Sequence, residues 1–132
     1  MAALSREGSG QVSKPRILVV DDEPHILKLL ELKLTLENYE VVTARSGSEA
    51  LEKAAIDPPS LVLLDVMMPG MDGYQVASVL KSDPRTKDIP ILFLTARGRD
   101  VDRKHGEEVG AVEYITKPFR PSELVTLIRK HL

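Results

Sequence analysis

Cysteine is absent from this sequence. That excludes a disulfide scaffold and any thiolate metal site, and it fits a reducing compartment. An excess of one charge is absent too: 20 acidic residues against 18 basic ones leave a net charge of −2. No overall field therefore favours nucleic acid or an anionic membrane. Long apolar runs are missing, because the strongest one, Leu61–Leu64, stops at Asp65. A membrane span needs about 20 apolar residues. The stretch MAALSREGSGQVSKP at the N-terminus lacks the apolar core of a signal peptide. These absences lead us to expect a cytoplasmic protein that binds neither membrane nor nucleic acid directly.

What is present is enough apolar material, 42% of 132 residues, for one domain with one sizeable core. Residues 1–15, rich in Gly and Ser, read as a flexible tail or linker, and residues 16–132 as the domain. From Arg16 onward, strand-like and helix-like stretches alternate. Ile17–Val20 and Leu61–Leu64 are short apolar runs of strands covered on both faces. Glu40–Ala44, Ile89–Leu94 and Val112–Ile115 complete five expected strands. Pro24 suits a helix first turn, followed by Ile26, Leu27, Leu30 and Leu34 at helical spacing. Ser46 with Glu49, and Asp72 with Gln75, predict capped starts for the next two helices. Asp100–Val109 predicts a weaker, charged helix ending at Gly110. Pro121–Leu132 predicts a last helix with Leu124, Leu127, Ile128 and Leu132 on one face. Strict alternation argues for a doubly wound α/β sandwich, a parallel sheet with helices on both sides. Ligands of such sheets sit outside the carboxyl ends of the strands.

The residues expected at those ends are unusual as a set. Asp21 and Asp22 end the first strand, Asp65 the third, Thr95 the fourth and Lys117 follows the fifth. Each alone has a plain reading: a helix cap for an Asp, a turn hydroxyl for Thr95, a solvated charge for Lys117. Together, three carboxylates in one crevice repel each other and need positive charge. Lys117 supplies one charge, and the remainder suits a hard divalent cation with oxygen ligands, Mg²⁺ before Mn²⁺. A carboxylate in such a place can attack a phosphoryl group, chemistry that requires mainly positioning and charge neutralisation. Lys117, Thr95 and the backbone N–H groups near Met67 and Ala96 would then serve the phosphoryl oxygens.

With VVDDEP, LVLLDVMMPGMDGYQV, ILFLTAR and GAVEYITKPF in this order, the chain from Arg16 to Leu132 resembles the receiver domains of two-component response regulators. The resemblance implies a flavodoxin-like (βα)5 fold with strand order 2-1-3-4-5. It implies that Asp65 is the phosphoacceptor, supplied by a phosphohistidine on a sensor histidine kinase or histidine phosphotransfer protein. Asp22, Asp65 and the Met67 carbonyl would bind Mg²⁺ directly, and Asp21 through a water. Thr95 and Lys117 would contact the phosphoryl group, with a cis Lys117–Pro118 bond turning the lysine toward it. Thr95 and Tyr114 would be the switch, altering the surface of the fourth helix, fifth strand and fifth helix. On this reading the protein catalyses its own phosphorylation and slow dephosphorylation and is no conventional enzyme. It would act as a monomer or a phosphorylation-linked homodimer on an unidentified output domain or target. Leu127 stands where the subfamily with winged-helix output carries a dimer-face Arg, which weighs against that particular dimer.

Three other readings compete. An aspartyl phosphatase would want an acid two residues after the nucleophile, where Met67 stands. A nucleotide-binding domain would show a Gly-rich loop where Asp21 and Asp22 stand. A pseudo-receiver serving only as a protein interaction module would have no need to keep the acidic, hydroxyl and lysine positions together. Arg97, Arg99, Arg103 and Lys104, interrupted by Asp100 and Asp102, read as a solvated face.

Overall fold

The structure, a computed structural model, describes residues 14–96 and 110–132. Five strands form one parallel sheet: β1 (Arg16–Val20), β2 (Glu40–Ala44), β3 (Leu61–Asp65), β4 (Ile91–Thr95) and β5 (Glu113–Thr116). Their order across the sheet is β2-β1-β3-β4-β5, the expected 2-1-3-4-5. Four helices lie in the described residues: α1 (Pro24–Leu36), α2 (Gly47–Ile56), α3 (Gly73–Ser82) and α4 (Pro121–Lys130). The helix expected over Asp100–Val109 lies outside the described residues, as does Arg97. No helix among the described residues is long and apolar enough to cross a membrane.

The expected single core is two layers, because the sheet divides it. Strand side chains alternate between faces. Ile17, Val19, Leu61, Leu63, Leu92 and Leu94 point to the side closed by Leu27, Leu30 and Leu34 of α1 and Leu124, Val125 and Ile128 of α4. Leu18, Val20, Val62, Leu64, Ile91 and Phe93 point to the side closed by Ala50 and Ala54 of α2 and Val76, Ala77 and Leu80 of α3. The small residues of α2 allow close approach: a Cβ on Gly47 would lie 2.8 Å from Val76 Cγ2.

Helix starts follow the sequence with differences of detail. Asp72 and Gln75 form a full reciprocal capping box, each side chain accepting from the other's backbone N–H at 2.9 Å. Ser46 accepts from Glu49 N–H at 3.2 Å, but the Glu49 carboxylate reaches past it to Arg45 N–H at 2.7 Å. α1 begins at Pro24 after Glu23, whose side chain makes no capping bond. Neither Asp21 nor Asp22 caps that helix from the N-cap position. β4 starts at Ile91, two residues later than expected, and β5 is shifted by one to Glu113–Thr116. Leu132 is 47% exposed, outside α4, and Val125 takes its expected place in the core.

Candidate phosphoacceptor and metal site

β1 and β3 are central strands with both faces covered, so their carboxyl ends are fixed by packing on two sides. Asp21 directly follows β1, held by its N–H donating to Ala44 of β2 at 3.1 Å. Asp65 is the last residue of β3, and the next N–H, Val66, continues the ladder to Leu94 of β4 at 3.0 Å. Asp21 and Thr95 are fully buried and Asp65 is 3% exposed. Asp22 is half-buried. The structure brings Asp21, Asp22 and Asp65 together, with one oxygen of each within 4.8 Å of the others. Lys117 enters from the far side of the sheet, after β5, on a cis Lys117–Pro118 bond. Its backbone N–H donates to the Thr95 carbonyl at 2.6 Å, which joins the ends of β4 and β5.

The Lys117 ammonium donates to Asp21 Oδ2 at 2.8 Å and stands 3.5 Å from Asp65 Oδ1 and 3.6 Å from Glu23 Oε1. Asp21 Oδ1 accepts from Glu23 N–H at 3.0 Å, so both oxygens of Asp21 are already bound. Asp65 Oδ1 accepts from Met67 N–H at 3.3 Å. Glu23 is a member that the sequence reading passed over, although it follows the aspartate pair directly. Gly73 is another: a Cβ there would collide with the Asp65 carbonyl oxygen and lie 2.9 Å from Val66 Cα. Only a residue without a side chain lets the start of α3 press against the loop after Asp65, where Gly73 N–H donates to Val66 at 3.0 Å.

The electrostatics follow from this crowding. Burial pushes the Asp65 carboxyl up to about 6, with the Asp21 charge and, less strongly, Asp22 adding to it. Lys117 and the Met67 N–H pull the other way without cancelling it. Burial works against the Lys117 ammonium, but the hydrogen bond to Asp21 and the charges of Asp65, Asp21 and Glu23 outweigh it and hold the amine above its usual range. Among the described residues, one ammonium stands against Asp21, Glu23 and Asp65, with Asp22 beside them, which leaves a deficit of positive charge. The donor set is entirely oxygen and compact enough for a hard divalent cation, so the residues fit Mg²⁺. Asp21 is committed to the Lys117 ammonium and the Glu23 N–H.

Tyr114 lies away from this cluster, half-buried on β5, against the α2–α3 side of the sheet. Its hydroxyl meets that of Tyr74 on α3 at 2.8 Å, a partner the sequence reading did not pick out.

Comparison with known proteins agrees with this geometry. The response regulator receiver domain profile matches residues 17–129. The probable transcriptional regulator ycf27 of Cyanophora paradoxa is 49% identical over 122 residues, covering 92% of this chain and 50% of that protein. The response regulator PleD of Caulobacter vibrioides is 51% identical over 114 residues, covering 86% of this chain and 25% of that protein. The chain thus spans half or less of the length of these two relatives. The chemotaxis protein CheY4 of Vibrio cholerae superposes with a TM-score of 0.87 at 33% identity, covering 90% of this chain and 99% of that one. A chain that shares this profile, these relatives and this fold belongs to the response regulator receiver domain family.

Proposed function

We propose that this receiver domain is a phosphorylation-controlled switch whose phosphoacceptor is Asp65. The observation that carries the proposal is a nearly buried carboxylate at the end of a central strand, 3.5 Å from an ammonium and beside two further aspartates. The donor is a phosphohistidine on a sensor histidine kinase or histidine phosphotransfer protein. Asp65 Oδ attacks phosphorus, the P–N bond to the imidazole breaks, and the imidazole leaves with a proton from its surroundings. Asp22, Asp65 and the Met67 carbonyl would hold Mg²⁺, with Asp21 placing a water, and the ion would supply charge that offsets the carboxylates and the phosphoryl oxygens. Lys117 neutralises one phosphoryl oxygen and Thr95 donates to another. Thr95 and Tyr114 carry the change to the surface that includes β5 and α4, which an output domain or target reads.

The test is incubation with acetyl phosphate and Mg²⁺, followed by intact mass. Wild type should gain the mass of one phosphoryl group, and Asp65→Asn should gain nothing. No gain on wild type, or an equal gain on the variant, would remove Asp65 from the role.

A further inference from the structure

Three rings form a continuous bridge beside the site. Phe93, on β4 two residues before Thr95, is fully buried. Tyr74 on α3 stands edge-on to it at 5.1 Å between centroids, and Tyr114 on β5 does the same at 6.0 Å. Above Phe93 the two phenols meet at 2.8 Å. Tyr74 is also the residue after Gly73, whose backbone is pressed against Asp65 and bonded to Val66. One short path therefore runs from the loop after Asp65, through the start of α3, to the edge strand β5.

We propose that Tyr74 is a positioning residue for the switch: its hydroxyl holds the Tyr114 ring against the core beside Phe93, and the domain in this held state takes a phosphoryl group at Asp65 more readily. The second half of this statement rests on the function proposed above. The first half does not. A neutral hydrogen bond contributes enough to shift a two-state equilibrium about fivefold. A bond that favours the held ring then strengthens binding at the acceptor site by up to that factor, through the larger share of the binding-competent state. Tyr74→Phe removes the bond and keeps the ring contact with Phe93, so the fold is retained.

The chain has three tyrosines, which makes tyrosine-selective ¹³C NMR a clean probe. Tyr39 sits in the opposite core layer and serves as the internal control. Tyr74→Phe should move the Tyr114 ring signals and leave those of Tyr39 in place, with Tyr114→Phe providing the assignment. It should also weaken binding of beryllofluoride with Mg²⁺, a phosphoryl mimic, by up to about fivefold. In a Tyr114→Phe background, adding Tyr74→Phe should change that affinity no further. Unmoved Tyr114 signals would overturn the proposal, and so would an affinity that is unchanged or tighter in Tyr74→Phe. If wild type binds no beryllofluoride, the phosphoacceptor reading fails instead, and the Tyr114 signals alone decide whether Tyr74 positions that ring.

Discussion

The two ends of the sheet carry similar residue types and treat them in opposite ways. At the amino end, Arg16 pairs with Asp57 at 2.7 Å and Glu40 at 3.4 Å. Both acids are more than half exposed, and the guanidinium is held above its usual range: burial works against it, but Glu40 and Asp57 prevail. A cleft of about 250 Å³ opens there, lined by Leu18, Val42, Ala54 and Pro59 under those charges. At the carboxyl end, among the described residues, Asp21, Glu23 and Asp65 share the Lys117 ammonium, Asp22 stands beside them, and Asp21 and Asp65 are buried. The amino end keeps its acids in solvent, and the carboxyl end buries two of its carboxylates. Desolvated charge marks the site, because a buried carboxylate without full compensation is costly and persists where a ligand completes it.

The sharpest way to test that contrast is titration of stability without metal. Asp65 has a folded value of about 6 against 3.8 for the free group, so the folded protein holds its proton more tightly than the unfolded chain. Stability from this group is present below about pH 4, is lost as pH rises through 6, and stays lost above it. The full loss is about 3 kcal/mol. Asp65→Asn should therefore match wild type in melting temperature near pH 4 and exceed it by several degrees at pH 7. Mg²⁺ should close the gap at pH 7 by raising the wild-type value. A constant gap across pH, checked by thermal denaturation, would contradict the charge imbalance. Next in size is Gly73→Ala, expected to cost about 2 kcal/mol through overpacking against Asp65 and Val66. Chemical denaturation measures that cost, and phosphorylation by acetyl phosphate should slow in the same variant. The smallest effect belongs to the amino end. Arg16→Met should cost under about 1 kcal/mol, because its ion pairs are screened by solvent. If Arg16→Met proved as damaging as Gly73→Ala, the two ends would not differ as argued.

Much of this was legible in the chain because strand-end chemistry is local. Asp21, Asp22, Asp65, Thr95 and Lys117 each stand where an apolar β-branched or leucine run stops, and the runs are unambiguous. Legibility fell where a residue's role depends on a distant partner. Thr86 lies in the polar stretch Ser82–Asp88, yet it is buried and donates to the Leu80 carbonyl at 2.6 Å, closing the end of α3. Nothing near Glu23 in the chain marks it as a member of the site; Lys117, 3.6 Å away in space, does. Tyr74 looked like one aromatic on a helix, and nothing within 40 positions of it names Tyr114 as its partner. Leu132 fits the helical repeat but falls beyond the last turn, where no layer covers it.

By itself the sequence determined the alternation of strands and helices, the caps of α2 and α3, and the identity of the charged residues at the strand ends. Those properties depend on spacing and on neighbours within a few residues. The tertiary structure decided which charges share a volume, how far burial raises Asp65, and which ring meets Tyr114. Those depend on distances between residues far apart in the chain, and Coulomb and desolvation energies follow distance and burial, not order in sequence.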